Sequence, residues 1–116
     1  MDYSRSKMSR SRGEDLLRLI EHRIDVYNRH YRFDFYGIRI KKMKTRWGSC
    51  SSKKNLNFNI KIADLPSHLI DYIVVHELCH LQEMNHSRKF WALVAQTLPD
   101  WQTLRKELRA TSTRVA

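Results

Sequence analysis

An apolar stretch of the sequence leads directly into two histidines whose spacing places them on one face of a helix. Residues 73–75 read Ile-Val-Val, and residues 76–80 read His-Glu-Leu-Cys-His. On an α-helix, positions i and i+4 lie about 40° apart and one turn along the axis. Two surface histidines are the alternative, but the preceding residues are too apolar for an exposed helix. His76 and His80 are therefore predicted to be buried, where polar groups need partners and a shared Zn²⁺ ion would supply one.

Glu77 is predicted to lie beside the metal position and not over it. It follows His76 by about 100° around the helix. Its carboxylate can therefore reach a metal-activated water molecule and take its proton. Cys79 lies on the other flank, and its shorter side chain favours a small packed residue over a ligand.

A catalytic zinc site needs a third protein ligand and an open position. His86 is the nearest downstream candidate, but a straight helix would direct it away from the metal. The helix must therefore end first, which a left-handed Asn85 would allow, and Ser87 would cap the next helix. The alternative third ligand is an acid, Glu83 or Asp100, although helical phase directs Glu83 to the wrong side.

Other residues near these motifs are interpreted mainly as structural. Tyr72 is a weak candidate for stabilising an oxyanion and is favoured as a core aromatic residue. Trp47 is expected to cover the core and Gly48 to relieve a turn, which leaves Arg46 as the residue of that turn to test for function. The remaining histidines have no ligand spacing and are expected at the surface: His22, His30 and His68.

The order of the predicted elements indicates an α+β fold. Apolar residues at helical spacing predict an amphipathic N-terminal helix that ends near Arg32. A short strand at residues 38–40 and strict alternation over residues 56–62 predict a small antiparallel sheet. Residues 48–55 are turn-like between them.

Three further helices are predicted after the sheet. Ser67 is the expected N-cap of the helix that carries the histidine pair, and this helix should run to about Met84. Ser87 and Asp100 are the expected N-caps of two C-terminal helices.

The length of 116 residues fits a single domain. We expect a basic disordered tail at residues 1–13, a hydrolase domain at residues 14–110 and a flexible C-terminus at residues 111–116. No apolar run approaches the roughly 20 residues of a membrane helix, and the first residues lack the core of a secretory signal. Two cysteines are too few for a disulfide scaffold, so a cytoplasmic location is expected.

The formal net charge of +10 is concentrated in one part of the chain. Residues 39–61 contain eight basic residues and no acidic one: Arg39, Lys41, Lys42, Lys44, Arg46, Lys53, Lys54 and Lys61. Such a block could attract nucleic acid, nucleotides or acidic peptides. The favoured interpretation is a solvated basic surface.

Three sequence segments together resemble the YgjP-like metal-dependent hydrolases, a family of small zincins related to the SprT-like and WLM proteases. The segments are Arg46-Trp47-Gly48-Ser49-Cys50 with the following residues 51–59, the histidine helix up to His80, and Asn85-His86-Ser87 with residues 88–91. The resemblance spans roughly residues 15–108. The spacing from His76 to His86 also fits the metzincins, but Glu83 stands where that pattern has glycine and no Met-turn is recognisable.

The resemblance implies a minimal zincin fold with ligands His76, His80 and His86 and a catalytic Glu77. It also implies that the strand at residues 56–62 lies along the active-site cleft. Many members carry an additional β-rich segment at the N-terminus. This chain has only the basic tail there, so any function of that segment is expected to be lost or supplied elsewhere.

The sequence thus predicts a zinc-dependent metallopeptidase in which Glu77 is the general base. A peptide or protein is the expected substrate, paired with the strand at residues 56–62 if that strand is an edge. One alternative is hydrolysis of a nucleotide phosphoanhydride, with residues 39–61 binding phosphates. The other is a SprT-like protease associated with nucleic acid through the same residues. A zinc-stabilised domain without activity is disfavoured, because a structural site needs no base.

Overall fold

The computed structural model describes residues 11–111 and confirms the α+β fold. Within this range the chain forms four α-helices, one 3₁₀ helix and three strands. In chain order these are α1 (Arg12–Tyr31), β1 (Gly37–Lys41), β2 (Gly48–Cys50), β3 (Asn55–Asn59), the 3₁₀ helix (Ile60–Asp64), α2 (Ser67–His80), α3 (Arg88–Thr97) and α4 (Trp101–Arg109). None of these helices combines the length and the apolar character that crossing a membrane requires.

Helix α1 begins earlier than the sequence pattern predicted. The Ser11 hydroxyl accepts a hydrogen bond from the Glu14 N–H (3.0 Å) and caps the helix. Arg12 and Gly13, which were assigned to the tail, therefore belong to α1, while residues 1–10 of that tail lie outside the described residues. The helix ends as predicted near Arg32, which adopts the left-handed conformation with φ 57°. Its buried face packs on the sheet and on α2 through Leu16, Ile20 and Ile24.

The sheet is mixed, so the prediction of an antiparallel sheet was wrong for one of its two strand pairs. The strand order is β1-β3-β2, with β3 antiparallel to β2 and parallel to β1. The chain reverses between β1 and β2 and again at residues 51–54, but β3 then inserts between the two earlier strands. It therefore runs in the same direction as β1. Alternating hydrophobicity identifies strands but does not encode their order in the sheet.

The predicted strand at residues 56–62 is shorter than expected, because β3 ends at Asn59 and a 3₁₀ helix follows. The buried Asn59 side chain explains this end. Its amide donates to the Met43 carbonyl (2.9 Å) and the Arg46 carbonyl (2.8 Å), and its oxygen accepts from the Lys61 N–H (3.1 Å). The side chain thus fixes the connection before β2 and caps the 3₁₀ helix at the same time.

Helix α2 runs through the hydrophobic core, and α1, α3, α4 and β2 all pack on it. It is buried along most of its length, with Val74, Val75 and Leu78 fully enclosed. Pro66 is its N-cap, so the predicted cap Ser67 is instead the first helical residue. The helix ends at His80 rather than near Met84. The buried polar residues of this helix, Glu77 and His80, are consequently held in a rigid, water-poor environment.

Candidate metal centre

Three histidine side chains converge at the C-terminal end of α2. The Nε2 atoms of His76 and His80 are 3.2 Å apart, those of His80 and His86 3.0 Å, and those of His76 and His86 3.1 Å. Tetrahedral zinc with Zn–N bonds of about 2.0–2.1 Å separates its nitrogen ligands by about 3.3 Å. The triad therefore has the size and the donor set of a three-histidine metal site. It is the one cluster of metal-ligating groups found in residues 11–111, and neither Glu83 nor Asp100 belongs to it.

His86 reaches this position through a turn, as predicted, but the turn does not use a left-handed asparagine. Helix α2 stops at His80, and the Glu83 N–H still bonds the Cys79 carbonyl (2.9 Å) as the chain leaves the helix. Within residues 11–111 only Arg32 and Lys54 have positive φ among non-glycine residues, so Asn85 is not left-handed. Ser87 caps α3 as expected, accepting from the Phe90 N–H at 3.4 Å.

The surroundings of the triad orient its rings. His80 Nδ1 donates to the Glu83 carbonyl oxygen (2.9 Å), which leaves the Nε2 lone pair of a neutral ring directed into the triad. Phe90 stacks on His80 with centroids 4.4 Å apart, and Trp91 stacks on His86 at 5.7 Å. Glu83, the acidic alternative for the third ligand, thus contributes its backbone to the site.

Burial keeps the triad histidines neutral. Desolvation, together with smaller contributions from the neighbouring His80 and His86, lowers the pKa of His76 to about 3. Desolvation also lowers the pKa values of His80 and His86. Neutral imidazole is the form that binds metal ions, so the triad is ready to bind a cation at neutral pH without first losing protons.

Glu77 is buried beside the triad, with 5% of its surface exposed. Desolvation raises its pKa to about 8, and the nearby Arg46 guanidinium acts against this shift. The backbone of Gly48 packs directly against it: a Cβ on residue 48 would lie 3.0 Å from Glu77 Oε2. Gly48 lies in β2 with negative φ, so it serves close approach and not the turn that the sequence suggested. Sequence reasoning missed this role because it depends on a contact between two distant segments.

The triad and Glu77 open into a cavity of about 600 Å³. Helix α2 supplies one side, β2 a second and α4 a third. Because β3 is the central strand, the cleft runs along the edge strand β2, which corrects the expectation that residues 56–62 line it. Tyr72 contributes both to the core and to the cavity lining, with its ring 5.7 Å from that of His76.

The two residues before β2 contribute to the core and to the cavity lining. Trp47 packs against the core, as expected, and also lines the cavity. Arg46 lines the cavity from the same wall. Sequence reasoning missed two further lining residues, Arg105 and Arg109 of α4. Their i, i+4 spacing beside the buried Leu104 and Leu108 was the available signal.

The other predicted residues lie outside the triad. His22, His30 and His68 are exposed; His30 lies 2.9 Å from Gln96 Oε1 and His68 lies 2.8 Å from Glu107 Oε2. Cys79 is fully buried in a small apolar cluster with Val75, Phe90 and Val94, consistent with a packed residue. Of the basic residues at 39–61, Arg46 lines this cavity, whereas Lys42, Lys44 and Lys61 line a separate one.

Comparison with known protein families shows to which family the chain belongs. The profile described as YgjP-like, metallopeptidase domain, matches residues 2–111. The chain belongs to the YgjP-like family. This YgjP-like domain is accordingly a metallopeptidase-type hydrolase, and the family implies a catalytic metal. No curated protein sequence matches the chain at a significant level.

Two solved structures support the fold of this YgjP-like domain. The crystal structure of the metallopeptidase zymogen of Pyrococcus abyssi abylysin has a TM-score of 0.71 at 20% identity, covering 78% of this chain and 92% of that chain. The metallopeptidase zymogen of Methanocaldococcus jannaschii jannalysin has a TM-score of 0.68 at 23% identity, covering 78% and 94%. These likenesses confirm the minimal zincin-like fold.

Proposed function

We propose that this domain is a zinc-dependent peptidase in which His76, His80 and His86 hold one Zn²⁺ ion and Glu77 is the general base. The observation that carries this proposal is the triangle of Nε2 atoms, 3.0–3.2 Å on each side, beside a buried carboxylate in one open cavity. When bound, the metal would act as a Lewis acid on the substrate carbonyl and acidify water. Three protein ligands leave a coordination position for this chemistry.

Glu77 is placed to move a proton within the cavity. Its carboxylate is held between α2 and the β2 backbone, and Oε1 has no hydrogen-bond partner within the described chain. An acceptor with a free lone pair can take a proton from the attacking water and deliver it to the leaving amine. Without a metal ion, burial keeps Glu77 protonated at neutral pH. A cation bound by the triad would favour the ionised carboxylate that a general base requires.

The β2 strand offers a binding edge for an extended peptide. It pairs with β3 on one side only, so the backbone groups on its other edge are not used by the sheet. Gly48, Ser49 and Cys50 also line the cavity. A peptide added along this edge would gain main-chain hydrogen bonds and pass the triad.

Phosphoanhydride hydrolysis is the second candidate, because Arg46, Arg105 and Arg109 line the same cavity and guanidinium groups also bind phosphates. The comparisons name metallopeptidases, which favours the peptide. We do not propose nucleic-acid binding through residues 39–61, because neither the family nor the related structures point to it.

The test measures turnover by zinc-reconstituted protein on a quenched peptide library and, separately, on nucleoside triphosphates. We expect peptide cleavage that requires zinc. Glu77→Gln should retain zinc and lose at least about a hundredfold in kcat, the scale of a general base. Glu21→Gln, a change at an exposed residue of α1, is the matched control and should behave like wild type. Triphosphate turnover without peptide cleavage would replace the proposal by its alternative.

A further inference from the structure

Arginine side chains surround the cavity on two of its walls. Arg46 lies just before β2, and Arg105 and Arg109 lie one turn apart on α4. Positions i and i+4 share one helix face, so the α4 pair presents two guanidinium groups to the same side. All three residues are exposed. Among the described residues that line the cavity, Glu77 is the only acidic one, and it is buried. Any substrate that enters therefore meets an excess of positive charge.

The α4 arginines are not neutralised within residues 11–111. The salt bridges found in that range join other residues: Arg12–Asp64, Arg23–Asp71, Arg29–Asp25 and His68–Glu107. Arg105 instead lies over the Trp91 ring, 5.3 Å from its centroid. Trp91 stacks on Trp101 at 4.1 Å, which fixes this platform to the start of α4. A cation–π contact holds the guanidinium plane and leaves its N–H donors available.

Residues with largely apolar side chains also line the cavity: Tyr72, Ile73 and Leu108. Tyr72 lies near both the triad and α4, because its ring centroid is 5.7 Å from that of His76 and the positive charges of Arg105 and Arg109 act on its hydroxyl. A charge pair is less screened beside apolar groups than in open water. The side chain of glutamate combines a short aliphatic stem with a terminal carboxylate. The stem could contact the apolar lining residues while the carboxylate binds the guanidinium groups.

We propose that Arg105 and Arg109 form a subsite for an acidic side chain of the peptide substrate, close to the scissile bond. The inference rests on the proposed peptidase function and adds a substrate class to it. A guanidinium group binds a carboxylate through two parallel N–H···O bonds. The same charges repel lysine or arginine at that position, so the subsite selects against basic side chains as well.

The test uses zinc-reconstituted protein and peptides that carry Glu, Gln or Lys at each position around the scissile bond. The C-termini are amidated in one set and free in a second. Binding of the same peptides to the zinc-loaded Glu77→Gln variant is followed by fluorescence anisotropy. We expect about a tenfold higher kcat/KM and tighter binding for Glu than for Gln at one position in the amidated set, the scale of a hydrogen bond to a charged group. A preference confined to free C-termini would overturn the assignment to a side chain.

Charge reversal separates this subsite from a general loss of structure. Arg105→Glu and Arg109→Glu should lower kcat/KM for the Glu peptide and raise it for the Lys peptide, which unfolding cannot do. Arg18→Glu is the matched control, because Arg18 is exposed on a different helix, α1, and does not line this cavity. It should leave the ratio of the two rates unchanged.

The outcomes distinguish the subsite from the peptidase function. Equal cleavage of the Glu, Gln and Lys peptides would overturn the subsite while the peptidase function stands. Preferential binding of the Glu peptide, reversed in Arg105→Glu, would support the subsite even if no peptide were cleaved, although the peptidase function would then fail. An absence of both cleavage and binding preference would overturn both.

Discussion

No side chain fits between Gly48 of β2 and Glu77 of α2. A Cβ on residue 48 would lie 3.0 Å from Glu77 Oε2, 3.2 Å from Glu77 Cγ and 2.9 Å from the backbone oxygen of Asn57. The carboxylate could rotate away, but the strand carbonyl could not move without disturbing the sheet. The absence of a side chain at residue 48 thus sets the distance between the edge strand and the proposed base.

Gly48→Ala is therefore expected to displace Glu77 or to spread β2 from β3. Displacement of a catalytic group by about 1 Å can cost on the order of a hundredfold in rate, and overpacking costs about 1–3 kcal/mol of stability. Peptidase kcat and thermal unfolding of the zinc-loaded protein measure the two effects. Gly37→Ala is the matched control. Gly37 lies in β1, at the edge of the sheet opposite β2, and its Cβ would make only a 3.4 Å contact with Asn55 Oδ1. If both variants are equally active, close approach at residue 48 does not position Glu77.

Glu77→Gln should stabilise the metal-free protein at neutral and alkaline pH. The folded pKa of Glu77 is about 8, above its ordinary value of 4.5, so the wild-type carboxyl imposes no charge penalty below pH 4.5. The penalty grows as pH rises from 4.5 to about 8, and the amide does not share it. The difference in melting temperature, variant minus wild type, should increase over this interval. Zinc should reduce the difference, because positive charge favours the carboxylate. A difference that is independent of pH would contradict a buried, protonated Glu77.

The metal-free protein should lose stability on acidification. The folded pKa of His76 is lowered to about 3 from an ordinary value of 6.5, and those of His80 and His86 are lowered as well. The unfolded chain therefore binds more protons as pH falls through 6.5. For His76 the loss continues toward pH 3 at up to about 1.4 kcal/mol per pH unit, and His80 and His86 act in the same direction. Chemical denaturation between pH 7.5 and 4 measures it. His76→Gln should show a smaller loss, and an identical profile would argue against a neutral triad.

The identity of the third ligand predicts different results for two neighbouring substitutions. His86→Ala should weaken zinc binding strongly, since it reduces three protein ligands to two. Glu83→Ala should retain zinc, because Glu83 supports His80 through its backbone carbonyl, which alanine preserves. Competition with a chromophoric chelator measures both affinities. Zinc loss in Glu83→Ala without loss in His86→Ala would make the third ligand an acid.

Local sequence patterns were sufficient to predict the features that depend on neighbouring residues. The i, i+4 spacing of His76 and His80, and the need for a turn before His86, follow from helix geometry, and the three side chains do converge. The α3 cap at Ser87 was predictable because its hydroxyl bonds a backbone N–H three residues away. The prediction that Asn85 adopts the left-handed conformation was wrong, because several other backbone conformations can also end a helix.

Features that depend on the order of distant segments could not be predicted in this way. Alternation at residues 56–62 identified β3 but not its central place, which leaves β2 as the edge along the cleft. Gly48 approaches Glu77 only because β2 packs on α2, and Arg105 and Arg109 reach the cavity only because α4 packs there. Sequence spacing contains no information on these contacts.

A crystal of the zinc-reconstituted protein, measured on both sides of the zinc absorption edge, tests the metal centre most directly. We predict one anomalous peak per chain, about 2.0–2.1 Å from the Nε2 atoms of His76, His80 and His86, with Glu77 beside it but not bound to it. A peak elsewhere, or coordination by Glu77 or Glu83 in place of a histidine, would contradict the proposed site and the mechanism built on it.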